Sequence, residues 1–196
     1  MTIPAVRLNH AVLYVADLER SVAFYDAAFG MRVIAREPRV PAAFLQLPRS
    51  GNHHDLGLFQ VGTSFGPKRP GIGLYHLAWQ VDTIEELAQA QVTLAELGAL
   101  VGESSHGATK SLYAHDPDGH EFEVQWMLPR ESWGEWEHSA PVEPLERVKL
   151  PKNFNPRSAN SRRDLASRLK EVVGDIRVDR PRKARSGTGE DEQVLE

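Results

Sequence analysis

The feature that most limits how this chain can fold is an internal repeat. His10-Ala-Val-Leu-Tyr-Val15 returns 66 residues later as His76-Leu-Ala-Trp-Gln-Val81, each an apolar alternation opened by a histidine and closed by a valine. A stripe at helical spacing follows each run. Leu18, Val22, Tyr25 and Phe29 come after Asp17, a candidate N-cap, and Leu87, Ala90, Leu94 and Leu97 come after the capping box Thr83-Ile-Glu-Glu86. Gly30 and Gly98 supply the stops. Three strand-like runs complete each half, over 31–36, 41–47 and 54–61 and then over 99–103, 110–115 and 120–127. The expected fold is α+β: two tandem βαβββ modules, about 7–62 and 73–128, forming a curled mixed sheet around a cup.

The repeat occupies a domain at 1–128. Beyond it the apolar periodicity fades, and Pro129, Pro141, Pro144, Pro151 and Pro156 interrupt a polar sequence. Residues 129–151 are read as a segment folding back on the domain, and 152–196 as a charged, largely disordered extension with one short helix over 160–173. That extension carries 11 basic and 8 acidic residues interspersed, a solvated pattern rather than a nucleic-acid footprint. The net charge of −4 gives no attraction to nucleic acid or anionic lipid, and no apolar run is long enough to span a membrane. The start lacks a basic segment leading into an apolar signal core, so the expected location is cytoplasmic.

With no cysteine in the chain, a transition metal must be held by imidazole and carboxylate, which directs attention to the eight histidines. Strand alternation sets His10 opposite Ala11, Leu13 and Val15, and His76 opposite Leu77, Trp79 and Val81. In the last run Glu121, Glu123 and Gln125 alternate with Phe122, Val124 and Trp126. Two such sheets curled into a shared cup would bring His10, His76 and Glu123 to its floor. Glu121 is a competing carboxylate. Asp55 is another, because it stands four residues after Gly51 as Glu123 stands four after Gly119.

His10-Ala-Val-Leu-Tyr-Val-Ala-Asp-Leu-Glu-Arg-Ser-Val-Ala-Phe-Tyr25 and Asp116-Pro-Asp-Gly-His-Glu-Phe-Glu123 resemble the opening strand and helix and the closing turn and ligand strand of the vicinal oxygen chelate superfamily. That superfamily includes glyoxalases, bleomycin-resistance proteins and extradiol dioxygenases, and the resemblance covers roughly 7–128. His53-His-Asp-Leu-Gly-Leu-Phe59 is similar to the extradiol segment with an acid/base histidine, and His106-Gly-Ala-Thr-Lys-Ser-Leu-Tyr113 to the one with a substrate-orienting histidine and a phenol. The nearest likeness is to single-domain catechol 2,3-dioxygenase-like proteins. Lys110 departs from the acidic or amide residue that relatives carry near that point, which bears on substrate preference.

The resemblance implies a cup that binds metal and a facial triad of His10, His76 and Glu123 for Fe(II), or Mn(II), with three positions left open. It implies His54 as the acid/base group, with His53 as its rival, and His106 and Tyr113 as groups orienting substrate and intermediates. The expected reaction is extradiol cleavage of a small aromatic diol by O2, in a homo-oligomer. If Asp55 also met the metal, four protein ligands would result, an arrangement like that of a glyoxalase-type isomerase or lyase. A non-catalytic ligand-binding protein on the same fold is the third alternative. His115 and His120 are read as serving the Asp-Pro-Asp-Gly turn, and Trp133, Trp136 and His138 as packing outside the sheets or on a neighbouring subunit.

Overall fold

A computed structural model describes residues 2–63 and 72–145. The expected extension over 152–196 and its short helix lie outside the described residues. Strand β1 (Ala11–Val15), helix α1 (Leu18–Phe29), and strands β2 (Arg32–Glu37), β3 (Ala42–Gln46) and β4 (Leu56–Gln60) form the first module. Strand β5 (His76–Val81), helix α2 (Ile84–Glu96), and strands β6 (Leu100–Ser105), β7 (Thr109–His115) and β8 (Glu121–Met127) form the second. The tandem βαβββ architecture is present. Each module builds its own four-stranded mixed sheet, ordered β1-β4-β3-β2 and β5-β8-β7-β6. The first strand pairs parallel with the last and all other pairs are antiparallel.

Local chemistry accounts for the helix limits. Asp17 accepts a hydrogen bond from the Arg20 amide at 2.9 Å, and Gly30 ends α1 at φ 65°, its amide donating to the Asp26 carbonyl. Thr83 caps α2 through the Glu86 amide at 3.2 Å. The returning half of the box differs from expectation: Glu86 accepts from the Asp82 amide, one residue early, while the Arg49 guanidinium grips both its oxygens at 2.9 and 3.2 Å. No helix among the described residues is long and apolar enough to cross a membrane.

The modules join through their core faces. Leu13, Val15, Leu18, Tyr25, Leu45, Leu56 and Leu58 are buried in the first, Leu87, Leu94, Leu112, Phe122 and Val124 in the second, and Phe24, Phe29 and Trp79 pack against both cores. A polar latch reinforces the seam. The Tyr25 hydroxyl donates to Asp116 at 3.1 Å, the Ala16 amide donates to Asp118 at 3.0 Å, and Arg20 pairs with Asp118. Asp116 also accepts from the amides of Asp118 and His120 and meets His120 Nδ1 at 2.9 Å. His120 thus serves this turn, and His115 lies 3.7 Å from Glu121. Because merging the apolar faces buries the most surface, the opposite face of each sheet is left open.

Residues 130–132 and 134–138 form short 3-10 turns that lead the chain back to β6, where Ser105 and Glu143 exchange two backbone hydrogen bonds of 2.9 and 3.0 Å. Trp136 packs within the same chain, its ring seated on the backbone at Gly107.

Candidate functional site

On the open face of the second sheet, β5 and β8 run parallel with His76 opposite Glu121 and Ala78 opposite Glu123. His76 Nε2 lies 3.3 Å from Glu123 Oε2, while its Nδ1 lies 3.3 Å from Glu121 Oε1. One imidazole therefore spans two carboxylates. The buried Glu123 is placed beside the nitrogen that would hold a metal, and Glu121 sits behind the ring, where a carboxylate orients the imidazole and raises its basicity. The charge of Glu121 holds the Tyr75 hydroxyl above the ordinary tyrosine range. Sequence alternation leaves Glu121 as a rival ligand; the parallel register sets it beside His76 Nδ1, on the other side of the ring from Glu123.

Tyr113 stands opposite Glu123 on β7, its ring centroid 5.9 Å from that of His76. The Tyr113 hydroxyl is 2.8 Å from His106 Nε2, so the pair expected to orient substrate is assembled next to the His76–Glu123 pair.

His10 belongs to the other sheet. It is exposed just before β1, its Nδ1 lies 2.9 Å from Asn9 Oδ1, and its ring lies 4.5 Å from that of His54. His53 Nδ1 meets His54 Nδ1 at 3.1 Å. Partial burial, then the neighbouring His10 and His53, lower the His54 pKa and favour its neutral ring. Val12 and Tyr14 stand exposed on the same side of β1 as His10, and Phe44 and Phe59 pack edge-on at 6.0 Å across β3 and β4. This open face is aromatic where that of the second sheet is polar.

One chain thus gathers two of the three expected donors. Among the described residues no three His, Asp or Glu side chains are grouped to hold a metal ion. Within one chain His10 does not join His76 and Glu123, as the shared cup would require: the sheets meet through their core faces, so their open faces do not enclose a common floor. The donor types themselves suit a divalent ion, since His10 and His76 each engage Nδ1 with an oxygen and leave Nε2 as the ligating nitrogen.

Asp55 is settled by its contacts. It is buried and accepts from the Leu47 amide, the Ser50 hydroxyl and the Asn52 side-chain amide, each at 2.7 Å, so its carboxylate holds the 47–55 turn. Counting from the glycines misaligns the repeats. In register, β1 pairs Val12 with Gly57 as β5 pairs Ala78 with Glu123, so the first-module counterpart of Glu123 is Gly57. That position holds no carboxylate.

Residues 7–124 match the family model described as Glyoxalase/Bleomycin resistance protein/Dioxygenase superfamily. A second model, HelY-like SH3 domain, matches 134–176, most of which lies outside the described residues. The chain is 32% identical over 127 residues to a catechol-2,3-dioxygenase of Bacillus subtilis (strain 168), covering 64% of this chain and 43% of that protein. It is 28% identical over 124 residues to a lactoylglutathione lyase of Neisseria meningitidis, covering 60% and 88%. The crystal structure of a genomically encoded fosfomycin resistance protein from Listeria monocytogenes superposes with a TM-score of 0.52 at 24% identity, covering 65% of this chain and 98% of that one, a likeness of fold. The chain spans less than half the length of the Bacillus relative.

Proposed function

The chain belongs to the glyoxalase/bleomycin resistance protein/dioxygenase superfamily, and from that premise we propose that it is an extradiol dioxygenase cleaving a catechol-like ring with O2 at a non-haem Fe(II) site, Mn(II) being the alternative ion. The observation that carries this reading is the His76–Glu123 pair backed by Glu121, together with Gly57 where the repeat would otherwise place a second ligand carboxylate. Three protein donors leave room for both oxygens of a diol and for O2, whereas a fourth would favour Lewis-acid chemistry alone. The 32% identity to a catechol-2,3-dioxygenase supports the same choice.

The third donor, His10, comes from a second copy of the chain. β1 and β5 are the outer strands of their sheets, and exposed apolar side chains collect beside them: Val6, Leu8, Val12 and Tyr14 at β1, Leu74 and Tyr75 at β5. Laying the aromatic face of one copy over the polar face of the other buries that patch and sets His10 against the pair it lacks. An ion held there would supply the positive charge that stabilises the deprotonated diol and a path for its electron density toward O2. The remaining steps fall to side chains. Phe44 and Phe59 supply an apolar wall for a ring, His54 accepts a diol proton in its neutral form, and His106 with Tyr113 fixes the hydroxyl side of the substrate.

Protein loaded anaerobically with Fe(II) is expected to take up one O2 per catechol and release a coloured ring-opened product. No uptake across a broad catechol panel overturns the reading. The second reading, a glyoxalase-like isomerase or lyase, is favoured by the 88% coverage of the lactoylglutathione lyase; turnover without oxygen selects it. A ligand-sequestering protein would instead bind its ligand unchanged and keep doing so in His76→Ala.

A further inference from the structure

We propose that residues 139–143 are a strap that locks the tautomer of His106 and thereby makes Tyr113 a hydrogen-bond acceptor toward the ligand, so that the site selects a ring presenting a protonated hydroxyl at that point. The ligand half of this statement rests on the ring-cleavage reading; the lock stands on contacts within one chain.

The Pro141 carbonyl lies 2.8 Å from His106 Nδ1. A carbonyl only accepts, so Nδ1 carries the proton, and in the neutral ring Nε2 is left with a lone pair. The Tyr113 hydroxyl and the Ser104 hydroxyl each lie 2.8 Å from that nitrogen. A phenol has a single proton. Nε2 has one lone pair, and the phenol, the more acidic of the two hydroxyls, is the stronger donor to it; with that proton given, the Tyr113 oxygen presents only lone pairs to anything else, and the Ser104 hydroxyl, 3.4 Å away, is left to donate to it. Tyr113 therefore receives a hydrogen bond from the ligand rather than donating one. A catechol hydroxyl satisfies that oxygen; a carbonyl or an ether at the same point leaves it facing another acceptor.

The strap is fastened on both sides of Pro141. After it, Ser105 and Glu143 exchange their two backbone hydrogen bonds at the open edge of β6. Before it, Trp136 lies so close on Gly107 that an added Cβ would come within 2.5 Å of the indole. Lys110 Nζ stands 5.7 Å over the same ring and bonds the Ser105 hydroxyl at 2.6 Å and the Gly107 carbonyl at 3.1 Å. Lys110, the departure from the family pattern, is thus part of the fastening.

Nitrogen-15 spectra of histidine-labelled, metal-free full-length protein test the lock. His106 is expected as the Nδ1-protonated neutral tautomer, and Trp136→Ala is expected to move it toward a mixture of tautomers. An Nε2-protonated or doubly protonated His106 in the unaltered chain overturns the lock. An unchanged tautomer in Trp136→Ala overturns the strap as its cause. Should that variant fail to fold, cleavage after Glu143 by a glutamyl endopeptidase gives an independent reading. His106→Asn keeps an amide donor for Pro141 and should be cut at the unaltered rate, while His106→Leu should be cut about tenfold faster; equal rates for Leu and the unaltered chain overturn the proposal. In metal-loaded protein, Tyr113→Phe should weaken catechol binding about tenfold, and unchanged affinity overturns the acceptor role. Because the first two measurements need neither metal nor substrate, failure of the lock and failure of the ring-cleavage reading are told apart.

Discussion

Glu121 and Glu123 differ by two positions on one strand and have different work. Glu123 is buried against His76 Nε2, and Glu121, behind Nδ1, holds the ring in place. Glu121→Gln should weaken metal binding about 10–100-fold without unfolding the chain, read by titration of the metal-free protein with Fe(II) or Mn(II). Glu123→Ala should remove the binding instead. Both carboxylates were visible in the sequence as one alternating face, and so were His76, His106 and Tyr113. The division of labour between the carboxylates was not, because it depends on which residue of β8 stands beside His76, and a shift of one residue in that pairing changes the answer. Asp55 makes the same point: its spacing from a glycine suggests a ligand, but three donors within eight residues of it claim both oxygens for a turn.

At the scale of elements, capping residues and glycines marked the helices well, since those signals act within one turn of the chain. The β6–β7 hairpin is less legible. Gly107 sits at φ 71° with an indole against its backbone, a combination that only glycine accommodates. Gly107→Ala should cost about 1–3 kcal/mol in chemical denaturation and release the 139–143 strap, seen as faster proteolysis there. From sequence Trp136 reads only as packing outside the sheets or on a neighbouring subunit, because its partner lies 29 residues earlier and is a residue without a side chain. No hydrophobic periodicity reports such a contact.

For the whole molecule, the seam between modules and the proposed contact between copies lead to two expectations. At the seam, burial alone would raise the Asp116 pKa, but the hydrogen bond and charge of His120, with two backbone amides, outweigh it and leave Asp116 below its ordinary 3.8. A carboxylate with a depressed folded pKa stabilises fully above its unfolded value and loses that contribution as the pH falls through the folded one. The stability gap between the unaltered protein and Asp116→Asn in denaturant titrations should therefore be widest near neutrality and shrink below 3.8. Between copies, His10→Ala and Glu123→Ala should each be inactive alone. Mixed in equal amounts and allowed to exchange subunits, they should recover about a quarter of the unaltered activity, because half the dimers carry one intact site of two. No recovery would place all three donors in the same chain.

The repeat, the helix limits and the chemical identity of every candidate donor are properties of short stretches of chain, set by alternation, capping and composition, and the amino-acid sequence determined them unaided. Which faces close on each other is a competition between surfaces far apart in the chain. The tertiary structure decided it by merging Phe24, Phe29, Trp79 and Phe122 into one seam, leaving His10 on one open sheet and His76 with Glu123 on the other. Burial of apolar area has no direction along the sequence, so only the assembled fold shows where it was spent.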